Sequence, residues 1–217
     1  MNCDIYKRDI NIDSLNKTLT IYQKEIGEVS CVVWDAALVL SKYLEIISLK
    51  KGNNWMKNIK VLELGSGLGC VGLTASCFGA DVLMTDLPEA LEGLQYNIDT
   101  NQVVWSSSGG KAHARPLKWG EQIDLDTIPD IVLFADCIYY EESIKPLMNT
   151  LIWITNSETQ IILSQEERDT DRQKSLWKNF LDEFVKYFEY KIVPLEEQHP
   201  LFNSADICLL QAKKKQS

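Results

Sequence analysis

Apolar positions recur along the chain with two periods, and the alternation between them predicts an open α/β sheet. Residues 60–64, 81–85, 112–117, 130–135 and 160–164 are apolar runs of strand length. The run at 130–135 is continuous and bounded by acids, the pattern of a parallel strand covered on both faces. Between the runs, residues 70–78, 88–101 and 141–154 read as helices, the second with Pro88 just inside its start. Ala36, Leu40, Tyr43 and Leu44 predict an earlier helix over residues 35–47, with Asp35 or Ser30 as its cap. Leu176, Phe180, Phe184 and Phe188 stand four apart and predict another helix over residues 169–187.

The chain closes with strand-like runs at 190–194 and 205–211. Their join, residues 195–204, is too short for a covering helix, so this pair is expected to be antiparallel. The expected fold class is therefore α/β: a seven-strand Rossmann-like sheet, mostly parallel, with a C-terminal antiparallel strand. Ahead of it, residues 1–30 are polar, with alternating stretches near 4–12 and 18–23. They read as an N-terminal extension forming a short hairpin, and residues 31–217 as one domain. In such sheets ligands bind beyond the carboxyl ends of the strands. That singles out the segments following Leu64, Thr85, Leu117, Ala135 and Ser164.

Composition narrows the partners. At 217 residues, 45% hydrophobic and 24% charged, the chain suits a soluble globular protein. A net charge of −9 repels phosphate backbones, so nucleic acid is not the expected partner. The one dense basic run, Lys213 to Lys215, reads as a solvated tail. No apolar stretch reaches the roughly 20 residues needed to span a bilayer, and the first residues lack a signal-peptide core. A cytoplasmic location without membrane attachment is the expectation. The six cysteines form no C-x-x-C pair, and with two histidines they give no zinc spacing. Reduced thiols and no metal site are expected, and His113 and His199 have no evident partner in the sequence.

The candidate chemistry begins at Gly65, Gly67 and Gly69, a glycine turn joining a strand to a helix. It has three readings: a plain tight connection, a dinucleotide site through the frame Gly67–Gly69–Gly72, or a site for another adenosine cofactor. Glu63 ahead of the turn would repel a pyrophosphate but tolerates a zwitterionic amino acid with a cationic sulfonium. Asp86 ends the next strand, where a carboxylate accepts both hydroxyls of a ribose; this fits either cofactor. Asp136 and Tyr139 follow the fourth strand, at the substrate end of such a sheet.

Four ordered blocks, residues 31–37, 61–67, 117–120 and 135–143, resemble the methyltransferase-like 21 family of protein-lysine methyltransferases. The likeness is strongest to the branch acting on valosin-containing protein. It implies a class I S-adenosylmethionine-dependent methyltransferase, with S-adenosylhomocysteine as product. Trp34 would pack on the methionine side of the cofactor, and Gly65, Ser66 and Gly67 would line it with backbone. Asp86 would hold the ribose and Trp119 would border the adenine. Ala135 would add a backbone contact, while Asp136 and Tyr139 would form the catalytic D-x-x-Y element. Leu68 stands where a threonine is expected.

The resemblance further implies a monomeric protein-lysine N-methyltransferase whose substrate is the AAA ATPase valosin-containing protein or another chaperone-like ATPase. Other readings stay open at this point: a nucleic-acid or small-molecule methyltransferase, or a non-catalytic adaptor of the same fold. From chemistry alone Trp34 and Trp119 read first as core aromatics, and Asp136 has a second reading as cap of the helix near Glu141. Tyr140 is expected to alternate away from Tyr139. Residues 166–169 read as a solvated helix start, with a second reading, from their place beyond the fifth strand's carboxyl end, as a border of the substrate entrance.

Overall fold

The computed structural model of the chain describes residues 5–24 and 29–216; Cys3, one of the six cysteines, and residue 4 of the first alternating stretch lie outside them. Five strands are parallel and joined by helices except between the third and fourth, where residues 117–130 cross without one: β3 (Lys60–Leu64), β4 (Asp81–Asp86), β5 (Lys111–Pro116), β6 (Ile131–Ala135) and β7 (Gln160–Glu166). With β8 (Phe188–Ile192) and β9 (Ile207–Lys214) they make a seven-stranded sheet of order β5-β4-β3-β6-β7-β9-β8. β9 runs antiparallel to both of its neighbours, which is the C-terminal reversal expected from the short join. The strand order reverses between β3 and β6, so their carboxyl ends diverge and open a crevice.

Side chains alternate across the strands and divide the core into two layers. Val61, Ile131 and Leu133 face one side, with Leu40, Leu44, Val71 and Leu73 from α1 (Asp35–Lys51) and α2 (Cys70–Cys77). Leu62, Leu64, Val132 and Phe134 face the other, with Leu147 and Leu151 from α5 (Glu141–Ile154) and Phe180 from α6 (Asp171–Phe184). The predicted helical stripe holds for Leu176, Phe180 and Phe184, but α6 ends at Phe184 and Phe188 opens β8; ring centroids of Phe180, Phe184 and Phe188 still follow one another at 5.2 and 4.6 Å.

A separate hairpin, β1 (Ile5–Ile12) and β2 (Lys17–Lys24), buries Ile10, Ile12, Leu19 and Ile21 against the first layer. Its β2 edge is tied to α3 (Leu91–Thr100) by asparagines. Asn97 accepts from Tyr22 N–H and donates to Tyr22 O, and Asn101 does the same with Thr20.

Several boundaries differ from those the sequence predicts. Pro88–Ala90 form a 3-10 turn before α3, and a further helix α4 (Gln102–Ser106) follows Asn101, where the sequence had suggested a single helix and then a turn. Neither Asp35 nor Ser30 caps α1; Trp34 occupies the N-cap position in extended backbone, and Asp35 is already helical. Lys213 and Lys214 are not a tail but the end of β9, and Lys214 donates to the carbonyls of Ile152 and Thr155 behind α5.

Candidate active site

The glycine turn after β3 is held from two sides. Ser66 N–H donates to Thr85 O at 3.0 Å, and Ser66 Oγ accepts from Thr85 N–H at 3.1 Å, fastening the turn to the end of β4. Gly67 N–H donates to Asp86 Oδ2 at 2.7 Å. Gly65 has φ of +61°, and a side chain there would come within 2.8 Å of Cys137 Sγ and 3.2 Å of Trp119. Glycine is therefore demanded twice, by conformation and by close approach.

Strand alternation points Glu63 beneath the start of α2, where Oε2 accepts from Gly72 N–H at 3.0 Å. Burial pushes its carboxyl up to about 8, against the lowering effect of bonds to Ser66 and Gly72. Asp86 is also raised, chiefly by burial, while the N–H groups of Gly67 and Leu87 oppose the rise. Both acids thus sit where a cationic or hydroxyl-bearing ligand would relieve their desolvation.

A cavity of about 660 Å³ opens at the carboxyl ends of β3, β4 and β6. Glu63, Gly65, Ser66, Gly67 and Asp86 line one part of it. Trp34, Trp119, Ala135, Asp136 and Tyr139 line the rest, so every site residue drawn from the sequence comes to one cavity. Trp34 is 40% exposed at its rim, and Trp119 lies over Gly65; neither is a plain core aromatic. The segment bearing Trp34 is braced by the hairpin, because Gln23 Oε1 accepts from Val33 N–H at 2.7 Å and Arg8 donates to Val33 O.

Asp136 follows β6 with φ of +54°, a left-handed conformation that non-glycine residues adopt rarely and that gathers at functional sites. The alternative in which it caps α5 fails: the N-cap is Tyr140, with no side-chain bond. The Asp136 carboxylate, buried at 7% exposure, instead turns to the end of β7. Its Oδ1 accepts from Gln165 Nε2 at 2.9 Å and Glu166 N–H at 3.4 Å, and Oδ2 accepts from Arg168 at 2.5 Å.

Residues 166–169 are therefore not simply a solvated helix start. Glu166 ends β7, Thr170 caps α6, and Arg168 reaches back into the cavity; no spacing in the sequence signals that pairing. Tyr140 packs on Tyr139, with centroids 4.6 Å apart, rather than turning away. Burial, with Cys137 and Asp86 nearby, pushes the Tyr139 phenol up to about 12, so it acts as a neutral hydrogen-bonding group at pH 7 and not as a base.

The histidines lie elsewhere, and each has an acid nearby that the sequence did not reveal. His113 stands 3.9 Å from Asp81, and His199 approaches Asp13 and Glu45. Ligand atoms of that second group come within 4.8 Å of one another, but Lys42 Nζ, 2.8 Å from Glu45 and 3.4 Å from Asp13, already supplies its positive charge. Among the described residues no helix is long and apolar enough to cross a membrane.

Comparison with known proteins bears on this arrangement. A family model described as lysine methyltransferase matches residues 13–184. The chain is 36% identical over 162 residues to Protein N-lysine methyltransferase METTL21A of Xenopus tropicalis, covering 72% of each chain. It is 35% identical over 175 residues to EEF1A lysine methyltransferase 3 of the same organism, covering 79% of this chain and 71% of that one. Among solved structures it is similar to the T. thermophilus 16S rRNA N2 G1207 methyltransferase RsmC, with TM-score 0.65 and 17% identity. That match takes in 97% of this chain and about half, 51%, of the longer one. It is also similar to the glycopeptide N-methyltransferase MtfA complexed with S-adenosyl-L-methionine, with TM-score 0.58 and 11% identity over 82% of this chain and 94% of that one. At these identities the structural matches bear on fold alone.

Proposed function

The chain belongs to the lysine methyltransferase family, and from that premise we propose that it transfers a methyl group from S-adenosylmethionine to the ε-amine of a lysine on a protein substrate. One observation supports the reading above the others: the glycine turn, Asp86 and the Asp136–Tyr139 element line a single cavity. Its volume is that of a cofactor pocket.

When bound, S-adenosylmethionine supplies a methyl group on a cationic sulfur, activated for in-line attack by an amine. The residues of the chain fit such a molecule. Asp86 keeps acceptor capacity for ribose hydroxyls beside its bonds to Gly67 and Leu87. Glu63 offers a carboxyl toward a cationic amino-acid end, with Trp34 beside it, and Trp119 borders the adenine. Ser66, Gly65 and Ala135 contribute backbone.

The chain's further task is to hold the amine in line and let its proton leave. Keeping a lysine neutral at pH 7 costs about 4–5 kcal/mol from its ordinary pKa. A carboxylate beside the amine works against deprotonation, so Asp136 captures and orients the incoming ammonium and the proton departs to water. Tyr139 lines the channel as a hydrogen-bonding group. Residues 31–217 form the catalytic domain, and the preceding extension braces the Trp34 segment. The acceptor the sequence resemblance favours is the AAA ATPase valosin-containing protein, methylated in the cytoplasm by a monomeric enzyme.

Incubation of the protein with cell lysate and methyl-labelled S-adenosylmethionine tests this. Label is expected in the protein fraction, in a band that mass spectrometry identifies as that ATPase. Label confined to small molecules or nucleic acid would overturn the reaction, and a different labelled protein would overturn only the acceptor.

A further inference from the structure

Arg168 lies in the cavity between two groups that each attract a cation. Its Nη2 is 2.5 Å from Asp136 Oδ2, and its guanidinium carbon lies 5.4 Å from the centroid of the Trp34 ring. A buried carboxylate facing an aromatic ring is the chemistry that recognises an alkylammonium. Resting on the reading that Asp136 receives the substrate lysine, we propose that Arg168 is an internal stand-in for that lysine, and that the substrate's ammonium binds by displacing it.

The arrangement around Asp136 supports an exchange. Oδ1 is committed to Gln165 and to the backbone of Glu166, which belong to β7 and fix the carboxylate in place. Oδ2 has Arg168 as its partner, so an arriving ammonium and the guanidinium compete for the same oxygen. Arg168 also has somewhere to go. Glu166 Oε2 is 3.1 Å from the same nitrogen, and its side chain is 38% exposed, whereas that of Asp136 is 3% exposed. One guanidinium thus bridges an inner and an outer carboxylate, and leaving the inner one does not strand it.

The consequence is selectivity as well as closure. With no lysine present, Arg168 neutralises Asp136 and bars the cavity. A neutral side chain in its place would leave the charge of the carboxylate uncompensated, while a flexible alkylammonium long enough to reach Oδ2 replaces the cation. Arg168 is on this view a specificity-determining residue and not a catalytic one.

Butylammonium, the side chain of lysine without its backbone, is a direct probe. Its affinity is measured by NMR titration at pH 7 on the full chain as wild type, Arg168→Ala, Arg168→Lys, Asp136→Asn and the Arg168→Ala/Asp136→Asn double variant. Arg168→Ala is expected to bind it about tenfold more tightly or better, the scale of one hydrogen bond to a charged group. Arg168→Lys restores a competing cation and is expected near wild type, and the double variant is expected to lose the gain. Should Arg168→Ala not fold, Arg168→Gln supports the same comparison. Unchanged or weaker binding in Arg168→Ala, with Asp136→Asn still weakening the wild type, would overturn the stand-in and leave the role of Asp136 in place. Binding indifferent to Asp136→Asn would overturn the lysine-capture reading itself, and the stand-in with it.

Discussion

Replacing Glu63 by glutamine removes a titrating proton while preserving the acceptor for Gly72 N–H. Burial moves this carboxyl from an ordinary 4.5 to about 8. At about 1.4 kcal/mol for each factor of ten in proton activity, that rise corresponds to roughly 5 kcal/mol. The sign follows from which form the fold prefers. The raised value means the folded chain favours neutral Glu63, so its contribution is fully present below about pH 4.5 and is lost as pH rises toward 8. Above that, a buried charge opposes folding. Glu63→Gln should therefore be increasingly more stable than the wild type as pH rises, by several kcal/mol at about pH 9. Urea unfolding of the ligand-free proteins at about pH 5, 7 and 9 reads the difference directly. A difference that stays flat across that range, or a glutamine variant that is the less stable at the alkaline end, would show that Glu63 does not carry the buried proton. The same site adds a second readout. A cationic ligand end beside Glu63 pulls its proton off, so binding of S-adenosylmethionine near neutral pH should release protons in the wild type and not in Glu63→Gln. Calorimetry in buffers of different ionisation enthalpy measures that.

Asp86→Ala removes the ribose acceptor and the partner of Gly67 N–H together, and should weaken S-adenosylmethionine binding by at least tenfold to a hundredfold, at about 1.5–3 kcal/mol per bond to a charged group; isothermal titration checks it, and unchanged affinity would move the ribose elsewhere. Asn97→Ala breaks the bonds to both backbone groups of Tyr22 and to Leu68 O, and should cost about 1–3 kcal/mol. Hydrogen exchange should then quicken along β2 first; uniform exchange across the sheet would contradict the local role. Gly110→Ala would put a methyl group 2.0 Å from the carbonyl oxygen of Ser76, which is backbone and cannot swing aside. A loss of about 3 kcal/mol or more is expected, read as a fall in Tm, and an unchanged Tm would refute the packing there.

The regular parts of the fold were legible because they rest on periodicity. Strand runs of alternating or continuous apolar residues, and the helical stripe of Leu176, Phe180 and Phe184, leave little freedom once two core layers must be filled, although the same spacing drew Phe188 of β8 into the helix. The glycine turn was legible for a similar reason, since Gly65 has neither room nor conformation for a side chain. What escaped depends on partners distant in sequence. Arg168 meets Asp136 across 32 positions, between two loops with no regular period to read. The break between α3 and α4 is set by Asn101, whose side chain accepts from Thr20 N–H and donates to Thr20 O and Asn97 O. Local propensity alone would carry the helix through or stop it, and only the hairpin's edge decides. The left-handed Asp136 is likewise invisible in sequence, because aspartate adopts that conformation only where its surroundings hold it.

The acceptor atom is the most direct test of the proposed chemistry. Protein labelled by the wild-type enzyme and by Asp136→Asn, each loaded with methyl-labelled S-adenosylmethionine, can be hydrolysed to amino acids and the label located by chromatography. Label in Nε-methylated lysine from the wild type, with most of it lost from Asp136→Asn, is the expected result. Label in any other amino acid, or undiminished methyllysine from Asp136→Asn, would contradict a lysine held by Asp136.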